Sequence, residues 1–496
     1  MSYETYPMSK KLKIVSIAAE VAPFSKTGGL ADVAKSLPKA LKRLGHEVMV
    51  ITPLYGQVID PKKHDLKLAH ENVEIHLNSL DKVQVSFWRG YLMKNLPIYF
   101  IENKKYFSAK KNLYGSAREN ARFLVFDVAA LKLISLLKYE ADIIHCHDWH
   151  AGLIPYYLKT DFKDSKTLRK AKTIFTIHNL AFQFGHDWWA VPAEKKDYGK
   201  SKVPKISDPD IENINFAKRG IMNADIINTV SEQYREEIIT TKFGQDLQQI
   251  LRNRENRLFG IVNGIDFATY NPQNDPGLFN NYDSNKISGK KLNKEHLQKY
   301  FKLKVAPELP IIALTSRVTF QKGFELILQI LEPLLHLDLE LIFMGDGDKK
   351  YINEIKKFAK RYPKKIAWLP FNENQKRETS LYAGSDIFLL PSHHEPCGIN
   401  QLIAMRYGCI PVVRRIGGLE DTVANYNPRT NRGNGFSFSA FNSYSLFATI
   451  VRALENYRHK TAWHELIVRA MKESNSWEIP AKKYIALYRK ALKHGK

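Results

Sequence analysis

Apolar positions along this chain follow two alternating patterns. Short runs rich in β-branched residues are separated by longer stretches in which apolar positions recur every three or four residues. That alternation predicts a parallel α/β architecture. In the first half, residues 12–21, 47–52, 141–146, 173–177 and 224–230 read as buried strands. After Gly29, the residues Val33, Leu37, Leu41 and Leu44 keep helical spacing, and Gly45 marks the helix end. A second series begins at Pro310, with strands predicted over 311–316, 339–344, 365–370, 386–390 and 410–413. The stretch 271–304 between the two series is rich in Asn, Asp, Lys and Gly and poor in strand signal, so it reads as a linker and hinge. Past the last strand, 477–496 reads as a basic amphipathic helix with Tyr484, Leu487, Tyr488 and Leu492 on one face, which must pack on something. The expected organisation is a domain over 1–270, a linker over 271–309, a second domain over 310–476 and a terminal helix over 477–496.

Composition supports a folded, two-domain chain and narrows its class. At 496 residues it exceeds what one hydrophobic core usually supports. Hydrophobic residues at 44 % and charged residues at 25 % exclude a disordered or membrane composition, and no run of about 18 uncharged apolar residues occurs. Lys10, Lys11 and Lys13 precede a short apolar run that resembles a signal peptide. Glu20 cuts it off without a small-residue cleavage site, so it is expected to be the first strand. The three cysteines, Cys146, Cys397 and Cys409, have no metal-type pairing and fit a reducing, cytoplasmic setting. A net charge of +24 raises nucleic acid or an anionic membrane as partner. The basic residues are scattered, with no arginine-rich arm and no aromatic-interleaved basic patch, so neither partner is expected.

Ligands in open parallel sheets bind beyond the carboxyl ends of the strands, so the loops there carry the candidate chemistry. The first is Lys26-Thr27-Gly28-Gly29-Leu30-Ala31-Asp32. Its glycines let backbone approach a ligand, and the helix start beyond offers N–H groups to phosphate; a tight turn with a solvated lysine fits the same residues. In the second half, Pro391-Ser392-His393-His394-Glu395-Pro396-Cys397-Gly398-Ile399 runs from a strand into a helix. Glu395 there is either a ligand for sugar hydroxyls, beside the N–H groups of Gly398 and Ile399, or an ordinary helix N-terminal acid. Arg317 and Lys322, in Ser316-Arg317-Val318-Thr319-Phe320-Gln321-Lys322-Gly323, either neutralise a pyrophosphate together or flank a helix start at the surface. His178 ends a strand in Thr176-Ile177-His178-Asn179-Leu180, as a sugar contact or a satisfied core histidine. The run His145-Cys146-His147-Asp148-Trp149-His150 looks like a metal cluster. Strand alternation sends His145 and His147 to one face, but Asp148 and His150 lie past the strand end and no zinc spacing is completed. The Asp148-Trp149 pair suits a carbohydrate better.

Taken in order, these loops resemble those of bacterial glycogen and starch synthases, retaining glycosyltransferases of the GT-B architecture. The segments carrying the resemblance are K-T-G-G-L-A-D, H-C-H-D-W-H-A-G-L, T-I-H-N-L-A, A-D-I-I-N-T-V-S, V-N-G-I-D, S-R-V-T-F-Q-K-G, P-S-H-H-E-P-C-G and G-G-L-E-D-T-V. The resemblance implies an α/β fold of two Rossmann-like, doubly wound parallel-sheet domains facing a cleft, with the last helix packing back on the first domain. It implies transfer of glucose from ADP-glucose to the non-reducing end of an α-1,4-glucan, with retention of configuration and without a metal or other cofactor. Carried over position by position, Arg317 and Lys322 hold the donor diphosphate, with Lys26, Gly28 and Gly29 at the nucleotide end. Glu395, Cys397, Gly398 and Ile399 bind the glucose hydroxyls. His178 and Asn263 contact the glucosyl group, while Asp32 and Asp148 line the reaction site. The implied mechanism is front-side, the leaving diphosphate taking the acceptor proton.

Four features depart from that family pattern. Phe371 stands near the base-binding strand end in place of Tyr, which keeps stacking and removes a hydroxyl. Ile416 replaces Thr before Gly417-Gly418-Leu419, Phe182 replaces Tyr, and the stretch from Lys111 to Arg122 is short where acceptor contacts are expected. Two other readings compete: a related transferase using UDP-glucose or another acceptor polysaccharide, and a non-catalytic glucan-binding protein. The second predicts loss of charged site residues, yet Lys26, Arg317, Lys322 and Glu395 are all present.

Overall fold

The computed structural model describes residues 10–77, 81–109, 112–371, 374 and 377–493. Lys111, the start of the shortened stretch, lies outside the described residues. The chain forms two compact units. The first gathers the described residues of Met1–Val230, Arg235–Ile261 and Pro480–Lys496, and the second those of Ser231–Tyr234 and Val262–Ile479.

In the first unit the strands are β1 (Lys13–Ala18), β2 (Glu47–Pro53), β3 (Lys67–His76), β4 (Lys82–Met93), β5 (Leu96–Glu102), β6 (Ile143–His147), β7 (Lys172–Ile177), β8 (Ile226–Thr229) and β9 (Leu258–Gly260). They form one sheet in the order β3-β4-β5-β2-β1-β6-β7-β8-β9. From β5 to β9 every pairing is parallel. At the other edge β3, β4 and β5 pair antiparallel, a hairpin region the sequence reading did not anticipate. The parallel strands are buried nearly throughout, as sheets covered on both faces require. β4 instead alternates exposed and buried positions, the pattern of a sheet with one wet face.

The second unit holds β10 (Ile311–Thr315), β11 (Glu340–Met344), β12 (Ile366–Leu369), β13 (Ile387–Leu390), β14 (Ile410–Arg414) and β15 (Phe436–Phe438). All pairings are parallel, in the order β12-β11-β10-β13-β14-β15. Numbered within its own sheet, this is the doubly wound order 3-2-1-4-5-6. The parallel strands of the first sheet, β5-β2-β1-β6-β7-β8, repeat it. Each sheet therefore has one switch point, between β1 and β6 in the first and between β10 and β13 in the second, where the connections leave in opposite directions and open a crevice.

The helix Gly29–Arg43 buries Val33, Leu37 and Leu41 against the first sheet and stops as predicted. Gly45 takes φ 90°, its N–H donates to the Lys42 carbonyl and that of His46 to Leu41, so the last carbonyls are satisfied in a left-handed cap. The stretch 271–309 is packed into the second unit rather than free of it. Its helix Ser288–Tyr300 lies on the helix Glu378–Gly384, and Lys290, Asn293, Lys294 and Gln298 are all buried along one side. Lys290 Nζ donates to the carbonyls of Tyr382, Ala383, Ser385 and Tyr407 at 2.7–3.2 Å, and Lys294 pairs with Asp386 at 2.8 Å. A composition that reads as solvated linker is here a polar face satisfying carbonyls that would otherwise be orphaned. The final helix, Glu478–Lys493, buries Tyr484, Leu487 and Tyr488. Tyr488 Oη lies 2.8 Å from His145 Nδ1, and Asn228 Nδ2 donates to Tyr484 Oη at 3.2 Å.

Candidate active site

In the first unit the switch point joins the loop after β1 to the end of β6. β1 leads into Glu20, which is 2 % exposed and accepts from the Thr27 backbone N–H at 2.6 Å and from its hydroxyl at 2.8 Å. Burial raises the Glu20 carboxyl to about 7, against the hydrogen bonds from Thr27 and Gly28 that favour its charge. The N–H groups of Thr27 and Gly28, just before the helix start, are thus engaged by a carboxylate of the same chain. Beyond them, the helix starting at Gly29 has no side-chain cap. Lys26 Nζ contacts Asp32 at 2.9 Å, so two expected site residues are partnered with each other.

Asp148 follows β6 with a positive φ of 62° and an extended ψ of 178°, a combination that costs a non-glycine residue on the order of 1–3 kcal/mol. Its own N–H donates to the Thr176 carbonyl at 2.8 Å, which holds the turn. Its carboxyl faces the backbone N–H groups of Trp149, His178 and Asn179, and burial outweighs them, pushing it up to about 8. Asp148 and His178 therefore sit together. His178 is half-buried, with Nε2 3.1 Å from His147 Nδ1, and burial lowers it to about 3, so the ring is neutral near pH 7.

The histidines of β6 are tied into hydrogen bonds within the fold. His145 and His147 do share a face, their ring centres 4.0 Å apart. Both nitrogens of each are occupied: His145 by Tyr488 and Thr176, His147 by Ser16 and His178. Among the described residues no group of three or more His, Cys, Asp or Glu is placed to hold a metal ion. Trp149 is not a sugar platform either. The short turn Trp149–Ala151 rotates its indole inward, where it is 5 % exposed, stacked on His150 and edge-on to Phe123.

In the second unit the switch point brings together the loops after β10 and β13. Lys322 Nζ lies 2.5 Å from Glu395 Oε2, which also accepts from Ser392 Oγ at 2.9 Å. Both side chains are largely buried, so the pair is weakly screened. Gly323, at φ 78°, makes this approach possible, because a Cβ there would lie 2.2 Å from the Pro391 carbonyl oxygen. Gly417, at φ 44°, closes the other side, where a Cβ would meet the Glu395 carbonyl oxygen at 2.0 Å. Arg414 braces the loop by donating to the carbonyls of His393 and Ser392 at 2.8 and 3.3 Å. Arg317 is exposed and, among the described residues, pairs with no carboxylate. The buried Cys397 thiol, raised to about 12 by burial, bonds to Asn263. Asn263 Oδ1 is buried with no partner among the described residues, an arrangement that native interiors tolerate rarely.

Gly398, at φ 74°, and Ile399 form the turn into the helix Asn400–Arg406. Phe371 packs with Phe301 and Leu369 over the core cluster of Ile311, Ile342 and Met344, so part of its ring is spent on packing. Ile416 is buried at the start of the helix Gly417–Thr422, while Phe182 is 51 % exposed. The residues to which the sequence reading gave no role at the site are Glu20, Ser392 and Gly417. Glu20 carried a signal, a lone carboxylate closing a buried strand seven residues before Thr27. Ser392 is defined by its bond to Glu395 three residues on, and Gly417 by its close approach to the Glu395 carbonyl across the fold.

The starch synthase catalytic domain family matches residues 13–253, and the glycosyl transferases group 1 family matches residues 297–466. Glycogen synthases of Geotalea daltonii and Bacillus anthracis are each 38 % identical to this chain, covering 97 % of it and 99 % and 100 % of their own lengths. The chain belongs to the glycogen synthase family. Its three-dimensional form agrees with that family: the catalytic domain of starch synthase IV from Arabidopsis thaliana, solved bound to ADP and acarbose, superposes with a TM-score of 0.87 at 30 % identity, over 98 % of this chain and all of that one. The architecture is the family's pair of parallel-sheet α/β domains, and the activity class is glycosyltransferase. Among the described residues no helix is long and apolar enough to cross a membrane.

Proposed function

We propose that this synthase-family protein transfers glucose from ADP-glucose to the non-reducing end of an α-1,4-glucan such as glycogen, with retention of configuration. The observation that carries the reading is the Lys322–Glu395–Ser392 cluster at the switch point of the second sheet, with Arg317 exposed on the preceding loop. Both hydrogen bonds to Glu395 fall on Oε2, leaving Oε1 for the hydroxyls of the donor sugar. Arg317 and Lys322 receive the diphosphate, whose charge grows as it leaves, and so stabilise the transition state more than the ground state. Two cationic side chains take the place of a divalent ion in this reading, and no cofactor is invoked.

The unpaired Oδ1 of Asn263 and the half-buried His178 supply further polar contacts to the glucosyl group. Asp148, beside His178, lines the reaction site. Lys26 leaves Asp32 for the nucleotide end of the donor, and Gly28, Gly29, Cys397, Gly398 and Ile399 contribute backbone. Phe371 packs against the base. The leaving diphosphate takes the acceptor proton, and the chain's part is positioning and charge stabilisation. Three buried free thiols favour a reducing, cytoplasmic setting.

The test is turnover of ADP-glucose and UDP-glucose on a maltooligosaccharide, with the anomeric configuration of the new linkage read by NMR. Elongation with ADP-glucose and an α-product are expected. Preference for UDP-glucose would move the reading to the related transferase, and no elongation with either donor would overturn it.

A further inference from the structure

Behind His178 lies a line of buried polar groups for which catalysis as described has no use. β6 runs between β1 and β7, in a register that sets Ala18 and Thr176 opposite His147. Ser16 Oγ lies 3.1 Å from His147 Nε2, and His147 Nδ1 lies 3.1 Å from His178 Nε2. Ser16 is 2 % exposed and His147 fully buried, so no solvent competes for either bond. His145, stacked beside His147, has separate partners in Tyr488 and Thr176 and takes no part in the line.

We propose that His147, backed by Ser16, is a positioning residue that sets the ring orientation and tautomer of His178 for glycosyl transfer, without touching the sugar itself. A neutral imidazole has one N–H donor and one bare acceptor nitrogen. His147 has a partner on each side and uses one of each. When Ser16 donates to Nε2, His147 donates from Nδ1 to His178 Nε2, and the proton of His178 resides on Nδ1. When Ser16 accepts, the direction of both bonds reverses and His178 Nδ1 becomes a bare acceptor. The hydrogen-bonding character that His178 offers a sugar hydroxyl is thus decided two side chains away. Burial, which lowers both rings well below the usual imidazole range, keeps the line neutral and the alternatives to these two.

The proposal rests on the reading of His178 as a contact to the donor sugar, and the experiment separates the two. Steady-state kcat and KM for ADP-glucose on a maltooligosaccharide are measured for His178→Ala, His147→Phe, His147→Asn and the double variant His147→Phe/His178→Ala. His147→Phe is expected to lower kcat about tenfold or more, the rate equivalent of one lost hydrogen bond, with KM changed less than about twofold. Asparagine places an amide where Nδ1 was and should restore most of that loss. The double variant should be no slower than His178→Ala, because a residue acting through His178 has nothing left to act on. If His178→Ala is slow while His147→Phe keeps kcat, or if the two losses multiply, the proposal fails and the reading of His178 stands. If His178→Ala keeps its activity, both fail. Should His147→Phe not fold, Ser16→Ala, which removes one hydroxyl, replaces it in the same cycle: a drop in kcat that vanishes in the His178→Ala background supports the proposal, and an unchanged kcat overturns it.

Discussion

Asp148 combines a strained backbone with a carboxyl that burial keeps protonated, and the second property makes stability depend on pH in a calculable way. The folded carboxyl holds its proton up to about pH 8, whereas the unfolded one releases it near the ordinary carboxyl value of 3.8. Between those values the folded state binds more protons than the unfolded state, so stability falls as pH rises. Each pH unit in that window is worth about 1.4 kcal/mol for one group, so raising the pH from 5 to 7 costs at most about 3 kcal/mol through Asp148. Asparagine keeps the shape, tolerates the positive φ of 62° and cannot ionise. Asp148→Asn should therefore melt above the parent, and by a margin that widens from pH 5 to pH 7, by several degrees if about 1 kcal/mol moves a unit of this size by 2–4 °C. The same variant should lose most of its elongation activity. The assay is thermal unfolding of both proteins at pH 5, 6, 7 and 8, with activity on a maltooligosaccharide alongside. A difference in melting temperature that stays constant across the range would refute the reasoning, because the ionisation cost would then not reside at Asp148.

Other perturbations test the packing around the site. Lys290→Met should destabilise the second unit by about 2–4 kcal/mol, since it removes the buried ammonium that four backbone carbonyls share, of which that of Tyr407 keeps a donor in the Tyr282 hydroxyl; denaturant unfolding reads this directly. Gly417→Ala places a methyl 2.0 Å from the Glu395 carbonyl oxygen and should cut activity by about a hundredfold through displacement of that loop, with ADP affinity measured calorimetrically falling in parallel. Tyr488→Phe leaves His145 Nδ1 without its 2.8 Å partner and should cost about 1–3 kcal/mol, seen as faster amide exchange in the final helix and β6. Full retention of stability in Lys290→Met or Tyr488→Phe would mean that these polar groups find other partners on substitution.

All ten strands expected from apolar runs are present, because a parallel sheet buried on both faces needs near-continuous hydrophobic segments, and that requirement is local. The loops carrying Lys26, His178, Arg317 and Glu395 follow strand ends for the same reason, and the glycines and prolines that turn the chain there mark them. What the sequence left open is set by distances between residues remote along the chain. At the antiparallel edge β3 is largely exposed and β4 alternates, so a search for continuous apolar runs passes over both, whereas the buried run of β5 was open to it. The stretch 271–309 carries polar residues that a linker would also carry, and only the carbonyls opposite Lys290 show them to be buried partners. Trp149 reads as a sugar platform beside Asp148 until the turn after β6 buries it. The contact between Lys322 and Glu395 spans 73 residues, and that of Ser16 with His147 spans 131. The residue types at these positions were determined by the sequence. Their partners were decided by tertiary structure, because a hydrogen bond or ion pair depends on a separation of a few ångströms that sheet order and register alone bring about.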